Sequence, residues 1–339
     1  MRKYRFWAGG YGSPDEKTLF KYEADFENGT FERLIALSGL ENPSYLLKRG
    51  DILYSVEEMA GVGNILTFFT GEGRPRLITR EITLSGDPCH IAISGDRLIV
   101  SNYSGALPGG GITLYRINPD GTTSGTDFRE QTGSGPVKER QAFAHAHSAY
   151  IDGERVTACD LGADMLFRYR IENDRLVEDE PWYAPPGSGP RHMVTKGEVS
   201  YLLGELSAHI YVLKNGEKTE ILQDIDTLPE GTAEEKRRLN RAAAIKLSPD
   251  GRYLFVSNRG EDTVTVFKVN DDKILSLLDI CPCGAPEPRD ITLFGDFILC
   301  ANQAGKCITA LEFDREAEKL SLLKMKEELE TSPSCIISD

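Results

Sequence analysis

The residues that could do acid–base chemistry recur in similar local settings. Four of the five histidines, His90, His145, His147 and His192, lie on or just before short apolar segments opened by proline or a small residue. Arg191 directly precedes the last of them. A histidine with a pKa near the working pH can take or give a proton, and an arginine can hold an oxyanion or a phosphate. These residue types suit a reaction that needs a base, a proton donor and a bound anion.

A carboxylate and a second arginine occupy matching places in the sequence. Glu205 and Arg259 each follow the end of a short β-rich run, one copy of a repeat apart. The equivalent places in other copies hold Glu58, Tyr103, Leu161 and Gln303. Because one copy has a leucine there, this repeat position does not require a charged residue. A Glu–Arg pair at this position therefore indicates a functional role. A plain salt bridge between neighbouring copies is the alternative, and it stays open at this point.

These residues belong to a unit that recurs seven times along the 339 residues. Each copy ends a β-rich run in a small or polar residue, and these residues are Gly9, Glu57, Asn102, Asp160, Gly204, Asn258 and Asn302. The intervals between them are 44 to 58 residues. A four-stranded propeller blade takes about 40–50 residues, so the two longest intervals need insertions. The sequence therefore predicts an all-β, seven-bladed β-propeller.

The two ends of the chain complement each other. Residues 333–337 form an apolar run that is not followed by one of these small or polar marker residues. Residues 6–10 include such a marker, Gly9, but no apolar run precedes them. Pairing of the C-terminal strand with the N-terminal blade would close the propeller and remove a free sheet edge. We therefore expect residues 1–339 to form a single domain.

A propeller would gather residues that are distant in sequence. The first strand of each blade lines a central channel, and the turns leaving these strands meet at one mouth, where a site is expected. The residues expected at that mouth are His147, Arg191, Glu205 and Arg259.

The charge of the chain narrows the choice of partners. Lys and Arg number 39 and Asp and Glu number 53, which gives a formal net charge of −14. Such a surface repels phosphate backbones and anionic lipid, so we expect no nucleic-acid partner and no membrane partner. A small anionic substrate remains possible where arginines reverse the local field. We expect a monomer or a weak homodimer.

The targeting signals and the cysteines indicate a cellular compartment. The N-terminal segment lacks the apolar region of a signal peptide, and no stretch approaches the ~18 apolar residues that a membrane helix needs. Seven cysteines at irregular spacings indicate reduced and mostly buried thiols. These features predict a cytoplasmic protein.

Short motifs in a fixed order carry a family resemblance over essentially the whole chain. They include residues 144–148 (AHAHS), 189–192 (GPRH), 204–207 (GELS), 256–260 (VSNRG) and 301–303 (ANQ). In this order they resemble the propeller-type lactonase family, which includes bacterial 6-phosphogluconolactonases and fungal carboxymuconate lactonising enzymes. Gly204 departs from the pattern, because many relatives have asparagine before the glutamate.

The resemblance implies hydrolysis of 6-phosphoglucono-δ-lactone or a related sugar lactone, without a metal or another cofactor. It implies His147 and Glu205 as acid/base candidates, either of which could be the base, and Arg191 and Arg259 as ligands of the substrate's anionic groups. We count Arg259 with the catalytic residues. The remaining predicted substrate-binding residues are His145, His192, Asn302 and Gln303.

Three alternatives stay open. The equivalent residues Glu57, Asn102, Asp160, Asn258 and Asn302 offer five oxygen ligands, which would suit Ca²⁺, although Asn and Asp also cap turns. A cycloisomerase that forms a lactone would use the same arginines. A non-catalytic, ligand-binding propeller is the third alternative, because a fold alone does not establish a function.

Overall fold

Seven four-stranded sheets follow one another along the chain in the computed structural model, which describes residues 3–71, 73–104, 109–216 and 218–339. The chain divides into two compact units. The first unit contains Glu16–Ser38, His192–Asp339 and the N-terminal segment up to Gly12, and the second contains Ser13–Asp15 and Gly39–Arg191. The single domain over residues 1–339 stays a prediction.

The first unit holds four of the sheets. One consists of β1 (Lys3–Tyr11), β2 (Leu19–Asp25), β3 (Thr30–Leu37) and the C-terminal β28 (Ser332–Ser338). Another consists of β16 (Pro190–Lys196), which starts at the last two residues of the second unit, β17 (Val199–Gly204), β18 (His209–Lys214) and β19 (Glu220–Asp226). The remaining strands are β20 (Arg241–Leu247), β21 (Tyr253–Arg259), β22 (Thr263–Val269) and β23 (Leu275–Pro282), then β24 (Pro288–Phe294), β25 (Phe297–Asn302), β26 (Cys307–Asp314) and β27 (Lys319–Glu328).

The second unit holds three sheets. Its strands are β4 (Leu46–Arg49), β5 (Ile52–Glu57), β6 (Asn64–Phe69) and β7 (Arg76–Ile82), then β8 (Gly86–Ser94), β9 (Arg97–Ser104), β10 (Gly111–Ile117) and β11 (Thr123–Glu130), then β12 (Ala146–Asp152), β13 (Arg155–Asp160), β14 (Met165–Glu172) and β15 (Arg175–Tyr183). Two short helices are α1 (Lys138–Gln141) in this unit and α2 (Glu234–Leu239) in the first. Within the described ranges, no helix has the length and apolar character needed to cross a membrane.

The C-terminal strand completes the first sheet. β28 pairs antiparallel with β1, and Ile336 lies opposite Ala8. Position 10 must be glycine, because a Cβ on Gly10 would lie 2.1 Å from the carbonyl oxygen of Ser332. The predicted fold class is confirmed: the protein is a seven-bladed β-propeller in which the C-terminal strand pairs with the N-terminal blade.

Apolar side chains that alternate along the strands pack between neighbouring sheets. In the first unit, the rings of Phe6 and Tyr22 stack with centroids 5.4 Å apart. They share one buried cluster with Phe294 and Leu299 of another sheet. Full burial of such a side chain contributes about 1.5–3 kcal/mol. Packing of this kind holds the strands that carry the candidate site.

A buried hydrogen-bond clasp recurs in three of the sheets. An asparagine near the end of the second strand donates to a threonine of the third strand, and the threonine donates to a main-chain carbonyl just after the outer strand of the preceding sheet. The clasps consist of Asn102, Thr113 and Thr83; Asn258, Thr265 and Thr227; and Asn302, Thr309 and Cys283. These asparagines therefore help to join one sheet to the preceding one.

We expect Thr309→Val to lower the free energy of unfolding by about 1–3 kcal/mol, because it removes the donor to a buried carbonyl. The Thr309 hydroxyl lies 2.6 Å from the Cys283 carbonyl oxygen and 2.9 Å from Nδ2 of Asn302. Urea unfolding followed by tryptophan fluorescence measures the change. Thr309→Ser keeps the hydroxyl and is the matched control. A valine variant as stable as the wild type would contradict the role of the clasp.

The cysteines are free thiols, and all except the partly exposed Cys281 are buried. Burial raises the pKa of the Cys159 and Cys283 thiols to about 12. Thiols of this kind stay protonated and unreactive. The prediction of mostly buried thiols is confirmed.

Candidate active site

His147 and Arg191 form a buried pair in the second unit. They lie on β12 and β16, and their side chains are almost entirely shielded from solvent. Nη1 of Arg191 contacts Nε2 of His147. Because a guanidinium only donates hydrogen bonds, Nε2 of His147 is the acceptor in this contact. The Ser148 hydroxyl donates to the Arg191 carbonyl oxygen at 2.7 Å and fixes the arginine main chain beside β12.

His147 sits at a β-bulge of its strand. The pairing register of β12 against β13 shifts between Ala146 and Ser148, which makes His147 the extra residue. The register of β24 against β25 shifts in the same way around Arg289. A bulge changes the direction of a side chain and is frequent beside active sites. The bulge therefore explains how His147 departs from the simple alternation of its strand.

Glu205 and Arg259 form a second buried pair, in the first unit. Nη2 of Arg259 lies 2.9 Å from Oε2 of Glu205, and the exposed fractions of the two side chains are 11% and 2%. Nε of Arg259 donates to the Arg241 carbonyl oxygen at 3.3 Å, which adds a second hold on the guanidinium. The N–H of Ala242 donates to the Glu205 carbonyl oxygen at 3.2 Å. The carboxylate and the guanidinium thus stand in a fixed, largely desolvated arrangement.

His145 lies two residues before His147 and has different surroundings. Its ring stacks on Tyr103 with centroids 4.2 Å apart and planes 9° apart. Nδ1 lies 2.9 Å from the Tyr103 carbonyl oxygen. The Tyr103 hydroxyl accepts from Arg140 at 3.4 Å, and the same ring meets His147 edge-on. Sequence reasoning assigned no role to Tyr103 or Arg140, although Tyr103 occupies the repeat position of Glu205 and Arg259.

The other predicted substrate-binding residues have distinct environments. His192 is buried on β16, and Gln303 accepts from Nη1 of Arg289 at 3.3 Å. The Arg289 guanidinium also lies over the Tyr11 ring, 5.3 Å from its centroid. The prediction that Asn302 binds substrate stays a prediction. Asn302 is fully buried, and its amide group is bonded within the sheets as part of a clasp.

The side chains considered as oxygen ligands for Ca²⁺ make other bonds in this structure. Glu57 pairs with Arg80 at 2.9 Å and accepts from Asn64 at 3.0 Å. The three asparagines belong to the clasps. Oδ1 of Asp160 accepts from the N–H groups of His145 and Ala163, both at 2.8 Å. Among residues 3–71, 73–104, 109–216 and 218–339, no group of three or more His, Cys, Asp or Glu side chains is placed to hold a metal ion.

Known proteins resemble this chain along its length. A 6-phosphogluconolactonase of Bacillus subtilis is 28% identical over 341 residues, covering 95% of each chain. The structure of a periplasmic gluconolactonase of Pseudomonas aeruginosa matches with a TM-score of 0.89 at 27% identity, covering 99% of this chain and 98% of that one. A Lactobacillus plantarum protein matches with a TM-score of 0.88 at 29% identity, covering 98% of both chains.

The family is shown by a match to nearly the whole sequence. The sequence model described as "Lactonase, 7-bladed beta-propeller" matches residues 5–337. That match agrees with the seven four-stranded sheets and with the completion of the first sheet by β28. The chain therefore belongs to the lactonase family of seven-bladed β-propellers.

Proposed function

We propose that the protein hydrolyses a lactone, 6-phosphoglucono-δ-lactone or a related sugar lactone, to the open-chain acid. The observation that carries the proposal is the presence of two arginines with little solvent exposure, each bound to an acid/base side chain: the buried Arg191 with His147, and the partly buried Arg259 with Glu205. The names of the Bacillus and Pseudomonas relatives support a lactone as the substrate class.

Lactone opening needs stabilisation of a negative charge. Water adds to the carbonyl carbon, the carbonyl oxygen becomes an oxyanion, and the bond to the ring oxygen then breaks. A fixed guanidinium in a desolvated place can stabilise that oxyanion, typically by about 3–4 kcal/mol. A second guanidinium can hold a phosphate or a carboxylate through two parallel hydrogen bonds. We propose Arg259, in the first unit, and Arg191, in the second, as the guanidiniums available for these tasks.

Glu205 and His147 are then proposed to keep the two arginines in place. The Glu205 carboxylate lies 2.9 Å from the Arg259 guanidinium and orients it. The Nε2 lone pair of His147 is directed at Arg191. Either side chain could still take a proton once substrate displaces its arginine.

The rest of the functional proposal concerns setting and partners. Reduced, buried thiols suit the cytoplasm, and we propose that the protein acts there on a small anionic lactone as a monomer or weak homodimer. Metal-free catalysis is also part of the proposal. It is supported by the use of the Glu57, Asn258 and Asn302 side chains in bonds within the fold.

A substrate panel tests this proposal. We expect the purified protein to clear 6-phosphoglucono-δ-lactone faster than buffer does, and faster than it clears glucono-δ-lactone at equal concentration. We also expect the rate to survive dialysis against EDTA. Clearance of glucono-δ-lactone alone would show that the substrate is wrong. Loss of the rate in EDTA, restored by Ca²⁺, would overturn metal-free catalysis, and no excess over buffer with either lactone would overturn the function.

A further inference from the structure

We propose that His145 is the general base of the reaction, held for that task by Tyr103, Asp160 and Gly162. This inference rests on the proposed lactone hydrolysis and names the group that activates the water. All the contacts that carry it lie within the second unit.

A hydrogen bond at Nδ1 fixes the tautomer of the His145 ring. Nδ1 of His145 lies 2.9 Å from the Tyr103 carbonyl oxygen. Because a carbonyl oxygen only accepts, Nδ1 must carry the proton, and Nε2 then carries the lone pair. Within the described part of the chain, Nε2 has no hydrogen-bond partner. The lone pair is therefore available to a water molecule.

His147 differs from His145 in the partner of its lone pair. The corresponding lone pair of His147 is directed at the Arg191 guanidinium, which cannot accept a proton in exchange. A protonated His147 would also stand against that positive charge. Of the two histidines, His145 is better arranged to take a proton from water, while His147 is better arranged to orient Arg191.

Neighbouring residues restrain both the main chain and the ring of His145. Its N–H donates to Oδ1 of Asp160 at 2.8 Å, and its carbonyl oxygen accepts from the N–H of Leu161 at 2.9 Å. A Cβ on Gly162 would lie 1.8 Å from the Phe143 carbonyl oxygen and 2.9 Å from Cδ2 of His145. Position 162 must therefore be glycine. Such restraint on both main chain and ring is what an accurately placed catalytic group needs.

The charges around the ring favour its neutral form. Burial lowers the pKa of His145 below its ordinary value of 6.5, and the nearby Arg140 guanidinium lowers it further. The Tyr103 carbonyl and the Asp87 carboxylate act in the opposite direction. The titratable and charged groups facing His145 are Arg140 from α1, Asp87 from β8, Tyr103 from β9, Asp160 from β13 and His147 from β12. At neutral pH the imidazole is unprotonated and can act as a base.

In the proposed reaction, His145 moves one proton from water to the leaving oxygen. Nε2 of His145 takes a proton from water while the water oxygen forms a bond to the lactone carbonyl carbon, and the carbonyl π electrons move to the oxygen. Collapse of this intermediate re-forms the carbonyl and breaks the bond to the ring oxygen. The imidazolium returns its proton to that leaving oxygen. The products are a hydroxyl and a carboxylic acid, which ionises in solvent, and the histidine is neutral again.

The pH dependence of kcat/KM tests the inference through the neighbours of His145. In the wild type, the rate should fall as pH drops through a pKa below 6.5, because protonation removes the base. Arg140→Gln removes a positive charge and should move this acid limb to higher pH. Asp87→Asn removes a negative charge and should move it to lower pH. A purely structural role for His145 predicts that neither charge change moves the limb.

Replacement of the base itself is the second arm. His145→Gln should lower kcat about 10²–10⁴-fold and abolish the acid limb. Thermal unfolding and circular dichroism check that the variant folds, and an NMR titration of the His145 ring in the wild type should give a pKa that matches the limb. Suppose that the wild type is active. If its acid limb then persists unchanged in His145→Gln, or stays fixed in both Arg140→Gln and Asp87→Asn, this inference alone is overturned. A wild type inactive on every lactone would overturn the proposed function and the inference with it.

Discussion

Arg259→Met is expected to lower kcat/KM for the lactone by about 10²–10³-fold, the usual loss when one oxyanion-stabilising donor is removed. Methionine keeps much of the length of the side chain and removes its charge and donors. The same change leaves the Glu205 carboxylate buried without its guanidinium. Breaking a buried pair in this way costs about 3–5 kcal/mol of stability, so loss of activity and loss of folding must be measured separately.

The double variant Glu205→Gln, Arg259→Met separates the two effects. It removes both charges, so stability should recover relative to Arg259→Met, whereas activity should not. Arg252→Met is the matched surface control, because Arg252 pairs with Asp250 at 3.1 Å but its side chain is 64% exposed. Initial rates and urea unfolding give the two readouts. Wild-type kcat/KM in a folded Arg259→Met protein would leave the pair as a plain salt bridge between sheets.

Arg191→Met is expected to have an effect of similar size, about 10²-fold or more on kcat/KM. Its guanidinium is buried against His147, and its carbonyl oxygen is held by Ser148 at 2.7 Å. If Arg191 binds the substrate's phosphate, the loss should appear mainly in KM. If it stabilises the oxyanion, the loss should appear mainly in kcat.

Two further variants make the Arg191 result interpretable. Arg191→Lys keeps the positive charge but loses the planar, bidentate donors, so it should recover only part of the activity. Arg175→Met removes an arginine of the same unit whose side chain is 66% exposed, and it should leave the kinetics unchanged. Equal kinetic constants for the wild type and Arg191→Met would remove this arginine from the proposed reaction.

The fold could be predicted from the sequence because a blade is a local pattern. Marker residues such as Gly9 and Asn302 end β-rich runs at regular intervals, and each run needs only its own neighbours in sequence to be recognised. The incomplete copies at the two ends also predicted the pairing of β28 with β1. Hydrophobic alternation and turn residues carry this information within single hairpins.

The candidate site was less accessible to sequence reasoning because its geometry depends on contacts between distant residues. The bulge that changes the direction of the His147 side chain shifts the pairing register of β12, and no residue type in the sequence predicts that shift. The four-residue helix α1, which presents Arg140, is too short to show helical periodicity. The structural contacts of Asn302 were inaccessible to sequence reasoning for a similar reason. Its threonine partner lies seven residues on, in Thr309, and the acceptor carbonyl belongs to the preceding sheet.

The central claim, that these two arginine pairs serve lactone hydrolysis, is tested most directly by one rate measurement. The clearance of fresh 6-phosphoglucono-δ-lactone is followed in buffer, with the wild type, and with a folded Arg191→Met, Arg259→Met double variant. We predict a clear excess over buffer for the wild type and none for the double variant. A wild-type rate equal to that of buffer, or a double variant as fast as the wild type, would contradict the account.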